Sequence, residues 1–212
     1  MSSAQAVGPG SRTLLLATAN RGKRVELADL LAPFALELRS LADFAGCELP
    51  PEGEDYERNA IAKARAATER AGIAALADDS GIEVTALGGA PGPLSARYGG
   101  AGLDDAGRSR RLLAALTESG STDRSARFVC VAALATPAGG VRVARGECPG
   151  TILTSARGTA GFGYDPVFRP AGHELSMAEL PAALKNRISH RGRALAALAP
   201  ELVRAFGALR RA

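Results

Sequence analysis

A short apolar run that ends in two adjacent acids constrains the fold of this chain more than any other feature. Residues 74–77 read Ala-Ala-Leu-Ala, and Asp78, Asp79, Ser80 and Gly81 follow directly. A run that is short, uncharged and followed at once by turn-forming residues predicts a buried strand that ends at the acids. Ligands of open α/β sheets bind beyond the ends of such strands, but solvated Asp-Asp-Ser-Gly turns are also common. The pattern therefore predicts either a ligand site or a solvated turn at one edge of a sheet.

Strand and helix patterns alternate along the first half of the chain, and a hairpin pattern follows. Predicted strands cover residues 13–18, 35–38, 74–77, 82–87, 127–136 and 141–146. Predicted helices cover residues 23–32, 56–71, 103–116 and 177–184, and a last helix after Ser189 keeps its apolar spacing to Leu209. We expect Pro200 to kink or split this last helix. The order predicts an α/β fold with a mixed sheet, in which several loops line one cleft.

Length and composition fit one globular domain, or two lobes around one cleft. The chain has 212 residues, of which 46% are hydrophobic, which is enough to bury a substantial core. Residues 1–11 lack the charged start and apolar centre of a signal peptide. We expect them to form a flexible tail before a single domain over residues 12–212. No apolar stretch is long enough to span a bilayer, so no membrane partner is expected.

Cysteine usage indicates the cellular compartment, and the net charge indicates the class of partner. Cys47, Cys130 and Cys148 are isolated and odd in number, which argues against a disulfide framework or a zinc site and favours a reducing, cytoplasmic location. The net charge of +4 and the isoelectric point near 9.3 suit an anionic partner, either a nucleotide or a nucleic acid. Nearly all cations are Arg, and Lys is expected only where a compact point charge is needed. The lysines are Lys23, Lys63 and Lys185.

The segment over residues 18–23 joins the first predicted strand to the first predicted helix, with a tight turn predicted over residues 20–22. A helix start presents free N–H groups and a partial positive charge, and both suit phosphate. Gly22 allows a phosphate to approach closely, and Lys23 adds a point charge. The spacing is not that of a P-loop, so an ordinary strand-to-helix turn is the alternative.

The two acids suit a Mg²⁺ site, because Mg²⁺ is commonly held by one or two carboxylates together with substrate phosphate and water. Asp79 lies farther from the predicted strand than Asp78, which makes it the stronger candidate for chemistry. We expect Asp79 to hold the metal, to accept a proton from attacking water, or to do both.

A Gly-rich aromatic segment is a candidate for binding a base. Residues 161–166 read Gly-Phe-Gly-Tyr-Asp-Pro. An aromatic ring on such a loop can stack on a base. Asp165 can accept hydrogen bonds from a purine ring edge. The alternative is a tight turn that packs Phe162 and Tyr164 inward.

A second candidate segment lies near the end of the chain. Residues 185–192 read Lys-Asn-Arg-Ile-Ser-His-Arg-Gly, which places His190 and Arg191 at a helix start, where hydrogen-bond donors converge. A capped surface helix with solvated charges is the alternative. No proton-transfer role is assigned to His190.

Taken together, these segments resemble the inosine triphosphate pyrophosphatase family, which removes non-standard purine nucleotides. The resemblance runs from Thr13 to the last helix and rests on residues 17–23, 59–64, 77–82, 87–92, 95–98, 161–166 and 189–192. It implies Mg²⁺-dependent hydrolysis of dITP, ITP and XTP to the monophosphate and pyrophosphate, usually by a homodimer. It also implies a long mixed β-sheet with flanking helices that forms two lobes around a central active-site cleft.

The resemblance implies roles for the residues at matching positions. Asp79 is implied as the proton acceptor and as a metal ligand. The implied phosphate-side residues are Thr18, Ala19, Asn20, Arg21, Gly22 and Lys23. Ser80 is implied to contact substrate, and the residues implied to hold the nucleotide, chiefly its base, are Phe162, Gly163, Tyr164, Asp165, Lys185, His190 and Arg191. Two segments depart from the family pattern: Ala19 stands where Gly is frequent, and residues 52–59 differ enough that no second acidic metal ligand is assigned there.

Two functions of other classes compete with this interpretation. A basic nucleic-acid-binding protein would fit the net charge, but the cations form no dense stripe, and the acid pair would repel phosphate unless a metal is bound. A dinucleotide-dependent oxidoreductase would need a Gly-x-Gly-x-x-Gly turn after the first strand, and that turn is absent. We therefore expect a purine nucleoside triphosphate as substrate and no stable nucleic-acid partner.

Overall fold

The computed structural model describes residues 12–207, which form seven strands and five α-helices. The strands are β1 (Thr13–Leu16), β2 (Glu37–Ser40), β3 (Ala75–Val84), β4 (Pro91–Gly92), β5 (Ser125–Ala135), β6 (Val141–Ile152) and β7 (Phe168–Pro170). The helices are α1 (Arg21–Leu31), α2 (Tyr56–Ala71), α3 (Asp105–Glu118), α4 (Ala182–Ile188) and α5 (His190–Phe206). None of these helices is long and apolar enough to cross a membrane. The predicted tail, residues 1–11, and the predicted helical residues after 207 lie outside the described part.

All seven strands join one mixed sheet in the order β2-β1-β3-β5-β6-β7, with β4 beside β3. β1 runs parallel to β2 and β3, and the other pairs are antiparallel. β1 ends at Leu16, early along β3, and β4 meets β3 only at Ile82 and Glu83. Within the described residues, the stretch 78–81 therefore pairs with β5 on one side and has an open edge on the other. The predicted mixed α/β sheet with flanking helices is confirmed.

Successive side chains of a strand point to opposite faces, so the apolar residues of the strands form core clusters on both faces of the sheet. Leu14, Leu16 and Leu76 pack in one cluster with residues of α1 and α5. Leu15 and Ala75, their neighbours in sequence, pack in a second cluster with α2 on the other face. A third apolar cluster covers the far end of the sheet beneath α3. The helices are thus divided between two faces, and their ends surround the open edge of β3.

The predicted end of the strand at the acid pair is wrong, because β3 continues through both acids and through Gly81. Asp78 and Asp79 both pair with β5, and adjacent side chains of a strand leave on opposite faces. Gly81 serves close packing rather than a turn. A Cβ at this position would overlap the carbonyl of Gly92 and would lie 2.7 Å from Ser95 Oγ.

Four other elements differ from their predictions. The strand predicted over residues 82–87 is instead the end of β3 followed by a 3₁₀ helix over Thr85–Leu87. Asn20 caps α1, so the predicted turn over residues 20–22 is instead the cap and first turn of the helix. The helix predicted over residues 177–184 begins as turns, and α4 forms only after Pro181, a residue that lacks the N–H a helix interior needs. α5 continues through Pro200 as one helix, so Pro200 does not split it.

Gly146→Ala should destabilise the fold, because Gly146 of β6 lies directly beneath α5. A Cβ there would overlap backbone atoms of His190 and Ala194, which cannot rotate away as a side chain can. We expect the free energy of unfolding, measured by urea denaturation, to fall by about 1–3 kcal/mol. Gly140→Ala is the matched control, since its nearest contact would be Thr136 Oγ1 at 3.4 Å. Equal losses in the two variants would contradict the packing argument.

Candidate active site

A cavity of about 150 Å³ lies at the open edge of β3. One wall comes from the starts of α1 and α5 and from β3, and the other comes from residues 95–96, α3 and the loop 162–165. The predicted site residues that line it are Asn20, Lys23, Ser80, Phe162, Gly163, Tyr164, Asp165, His190 and Arg191. Those that do not line it are Thr18, Ala19, Arg21, Gly22, Asp79 and Lys185. The structure therefore brings the four predicted segments together, but it places the predicted catalytic acid outside this cavity.

The start of α1 is held by two side chains. Thr18 Oγ1 accepts a hydrogen bond from Asn20 N at 3.2 Å, and Asn20 Oδ1 accepts one from Lys23 N at 3.0 Å. The remaining N–H groups of the first turn are available to a ligand. Ala19 and Arg21 are exposed. Ala19 does not adopt a left-handed backbone, so the Gly frequent in relatives is not required for this turn.

Gly22 makes room for an aromatic ring. A Cβ at Gly22 would lie 2.5 Å from the ring of Phe162. The same ring has its centroid 5.5 Å from Lys185 Nζ and 5.6 Å from Arg191 Cζ, within the range of a cation–π contact. Phe162 therefore reaches from the far wall of the cavity to α1.

Asp78 is fully buried, and two cations share its Oδ2 atom. This oxygen accepts hydrogen bonds from Arg191 Nη2 at 2.9 Å and from Arg191 Nε at 3.3 Å, and it lies 3.2 Å from Lys23 Nζ. Burial opposes ionisation, but the charges of Arg191 and Lys23 outweigh it and hold the pKa of Asp78 well below its usual range. Ser80 Oγ accepts a further hydrogen bond from Arg191 Nη2 at 3.0 Å.

Glu26 connects Arg191 to Lys185. Its Oε1 atom lies 2.7 Å from Lys185 Nζ, and its Oε2 atom accepts a hydrogen bond from Arg191 Nη1. Lys185 also donates to Asp165, whose carboxylate accepts a hydrogen bond from Phe162 N at 3.0 Å. The carboxylate that was predicted to face a purine edge is therefore bound in this structure to Lys185 and to its own loop.

The loop 162–165 is anchored to the wall that contains α3. Gly163 N donates to Asp105 Oδ2 at 2.7 Å, and Tyr164 Oη donates to the carbonyl of Ser95 at 2.8 Å. Tyr164 is buried, whereas Phe162 is partly exposed. The inward packing that the alternative predicts holds for Tyr164, whereas Phe162 is partly exposed at the cavity.

Asp79 lies on the opposite face of β3, toward α2. Its Oδ2 atom accepts a hydrogen bond from Asn59 Nδ2 at 2.8 Å, and its Oδ1 atom accepts one from Lys63 Nζ at 3.1 Å. Lys63 Nζ also donates to Glu52 Oε1 at 2.5 Å and to the carbonyl of Asp78 at 2.7 Å. The expectation that Asp79 lies farther out than Asp78 is wrong, because strand geometry separates the two acids by face rather than by depth.

The balance of charge differs between the two faces of β3. On the cavity side, three carboxylates meet three cations: Glu26, Asp78 and Asp165 with Lys23, Lys185 and Arg191. On the α2 side, Glu52 and Asp79 share Lys63, which leaves one negative charge in excess when both acids are ionised. Burial raises the pKa of Asp79. Burial would also raise the pKa of Glu52, but the nearby charge of Lys63 outweighs it and lowers that pKa.

His190 lines the cavity as a neutral ring. Its imidazole stacks on Phe128 with a centroid separation of 4.7 Å and an interplanar angle of 11°. Burial lowers its pKa well below the usual value, so the ring is uncharged at neutral pH. Its Nδ1 atom is buried and has no hydrogen-bond partner among the described residues.

Sequence reasoning missed five residues of this site: Glu26, Glu52, Asn59, Lys63 and Asp105. A signal existed for two of them, because Asn59 and Lys63 are four residues apart on a helix and so share a face, and Lys63 is one of three lysines. Glu26 and Asp105 are single acids among many on helices, and no pattern in one sequence separates them from solvated charges.

The chain is similar to known proteins over most of its length. The model of the Ham1 family matches residues 14–201. A dITP/XTP pyrophosphatase of Desulfotalea psychrophila is 47% identical over 195 residues, which cover 90% of this chain and 86% of that protein. A dITP/XTP pyrophosphatase of Mycobacterium tuberculosis is 49% identical over 193 residues, which cover 89% of this chain and 94% of that protein.

Solved structures show the same fold. A HAM1 protein from Coxiella burnetii aligns with a TM-score of 0.81 at 40% identity, covering 91% of this chain and 99% of its own. The nucleoside-triphosphatase, or dITP/XTP pyrophosphatase, of Mycobacterium abscessus aligns with a TM-score of 0.70 at 44% identity. The alignment covers 89% of this chain and 99% of that chain. The resemblance drawn from the motifs is confirmed, and this chain belongs to the Ham1 family.

Proposed function

We propose that this chain hydrolyses non-standard purine nucleoside triphosphates, namely dITP, ITP and XTP, to the nucleoside monophosphate and pyrophosphate. The observation that carries the proposal is one cavity in which a helix start bearing Lys23 meets a second group of side chains, Phe162, His190 and Arg191. The first group suits a polyanion, and the second suits a flat base with polar edges. Relatives that share nearly half of its residues are named dITP/XTP pyrophosphatases, which supports the same activity here.

The start of α1 would bind the phosphates. Its first-turn N–H groups and its positive end attract an anion, and Lys23 Nζ lies at the same place, 3.2 Å from Asp78. The charge of Lys23 also acts on Asp79 and Glu52, so the carboxylates of the α2 side lie within electrostatic range of Lys23. A triphosphate bound here would run toward the carboxylates of the α2 side.

The other end of the cavity would select the base. ITP and XTP carry a 6-oxo acceptor where ATP carries an amino donor, and Arg191 with nearby donors would satisfy that acceptor. A buried donor left unpaired against an amino group costs binding energy, so such a site discriminates strongly. Phe162 would stack on the base.

The carboxylates of the α2 side fit the Mg²⁺ that the family implies. Glu52 and Asp79 come from separate segments, meet at Lys63 and carry one excess negative charge, and Mg²⁺ prefers one or two carboxylates together with phosphate oxygens and water. We propose that these two acids hold the metal. When bound, the ion would offset negative charge on the phosphate oxygens as the link between the α and β phosphates breaks.

Asp79 would accept the proton of the attacking water. Asn59 and Lys63 fix its carboxylate by hydrogen bonds at 2.8 Å and 3.1 Å, so the base is already oriented. Water then adds to phosphorus, its proton passes to Asp79, and the bond between the α and β phosphates breaks. Catalysis of this kind depends mainly on positioning and charge.

The proposal is tested by pyrophosphate release from ITP, dITP, XTP and ATP with the purified chain. We expect fast release from the first three and slow release from ATP, because only the 6-oxo bases match the donors of the cavity. Equal rates on ATP and ITP would contradict the selectivity, and no pyrophosphate from any of them would contradict the activity. Steeply salt-dependent DNA binding without hydrolysis would favour a nucleic-acid-binding protein instead.

Asp79→Asn should abolish most turnover while the protein stays folded. The amide can still accept the hydrogen bond of Asn59, but it cannot accept a proton, so we expect kcat to fall by about 10²–10⁴. Steady-state kinetics and a thermal melt provide the two measurements. Glu83→Gln, a carboxylate change on the same strand at a surface pair with Arg127, is the matched control. Near-normal activity of the Asp79 variant would remove this residue from its proposed role.

Glu52→Gln should weaken the use of Mg²⁺ more than it weakens the fold. Loss of one of two carboxylates should raise the Mg²⁺ concentration for half-maximal rate by about tenfold or more, and EDTA should stop the unmodified enzyme. Glu54→Gln, an exposed acid of the same loop, is the control. An unchanged Mg²⁺ titration in the Glu52 variant would exclude it as a ligand.

The remaining expectations are a homodimer, which the resemblance implies, and a cytoplasmic location, which the cysteine usage favours. Sedimentation velocity of the purified chain tests the first, and a monomer at micromolar concentration would contradict it.

A further inference from the structure

The reaction proposed above gives Asp79 a chemical role but leaves Asp78, its neighbour, without one. Asp78 is completely buried, and burial of a carboxylate is costly unless cations and hydrogen bonds compensate. It lies within β3, where its backbone is paired with β5. A charge placed at such cost on a rigid strand, beside a ligand cavity, calls for an explanation beyond packing.

Asp78 connects two helix starts that face the cavity. Lys23 lies in the first turn of α1, and Arg191 lies in the first turn of α5. Asp78 Oδ2 is 3.2 Å from Lys23 Nζ and 2.9 Å from Arg191 Nη2. The same carboxylate oxygen therefore fixes a cation of the proposed phosphate end and a cation of the proposed base end.

The hydrogen bonds of Arg191 leave little freedom to its guanidinium group. Of its five N–H donors, Nε and one on Nη2 bond to Asp78, the other on Nη2 bonds to Ser80, and one on Nη1 bonds to Glu26. Within the described part of the chain, the second donor on Nη1 has no hydrogen-bond partner, and Arg191 lines the cavity. The direction of this donor is set by the plane of the guanidinium group, and that plane is held by the contacts of Nε and Nη2 with Asp78.

We infer that Asp78 is a positioning residue that sets base selectivity by aiming the remaining donor of Arg191, and that it keeps Lys23 aligned with that donor across the cavity. This inference rests on the proposed function. The two adjacent acids then have different roles, because Asp79 acts on the reacting phosphate, whereas Asp78 acts on substrate only through two cations.

The test compares Asp78→Asn, Asp78→Glu and Asp79→Asn by kcat/KM for ITP and for ATP. Asn removes the charge that holds Arg191 in place, and Glu keeps the charge but moves the carboxylate by one methylene. In either Asp78 variant we expect the ITP/ATP ratio of kcat/KM to fall by about tenfold or more, because the donor no longer distinguishes a 6-oxo from an amino group. Asp79→Asn should lower both values and leave their ratio unchanged.

A double-mutant comparison tests whether the effect passes through Arg191. If Asp78 acts by aiming Arg191, then adding Asp78→Asn to Arg191→Lys should lower the ITP/ATP ratio no further than Arg191→Lys alone. Fully additive losses would overturn the mechanism. Glu83→Gln on the same strand should leave the ratio unchanged, which controls for any general effect of a lost carboxylate on β3.

The outcomes separate this inference from the proposed function. If the unmodified chain releases no pyrophosphate from ITP, the proposed function fails. If it does so, and a folded Asp78 variant keeps the original ITP/ATP ratio, only the role of Asp78 fails. If a thermal melt shows that neither Asp78 variant folds, Asp78 is a structural residue and the inference is also overturned. A folded variant with a reduced ratio supports it.

Discussion

The strict alternation of side chains along β3 is the constraint on which the rest of the site depends. Two adjacent acids in a loop would share one environment and repel each other, but in a strand they leave on opposite faces. Asp78 meets Lys23 and Arg191 on one face, and Asp79 meets Asn59 and Lys63 on the other. The sheet thereby directs two like charges to opposite faces and gives each carboxylate its own hydrogen-bond partners.

The two faces of β3 differ in how far their carboxylates are balanced by cations. Near the cavity, carboxylates and cations are matched in number and mostly buried, so each charge is compensated within the protein. Toward α2, the carboxylates outnumber the cation, and Glu52 is about one-third exposed. A compensated network holds its members in place, whereas an uncompensated one retains affinity for an additional cation. This contrast is why we assign positioning to one side of β3 and metal-assisted chemistry to the other.

Sequence patterns predicted the family and the elements well because they report on local properties. Local signals predicted α2 correctly: Asp55 is a capping residue, and the apolar spacing continues to Ala71. The hairpin of β5 and β6 likewise follows from the turn residues between two apolar runs. The end of β3 was predicted wrongly for a physical reason. Ser-Gly after two acids is typical of a turn, but Gly81 is needed because the segment at Gly92 and Ser95 packs against its Cα. That contact joins positions that a single sequence gives no reason to connect.

Phe162 and Gly22 form a contact between the two walls of the cavity. The ring lies in a notch that exists only because α1 carries no side chain at Gly22. The far wall thus contacts α1 through the ring of Phe162. A base that stacks on this ring, as proposed, would take the place of part of that contact, so apolar surface would be exchanged between protein and ligand rather than newly removed from water. The two walls are consequently coupled, because a movement of α1 would also move the surface against which Phe162 packs.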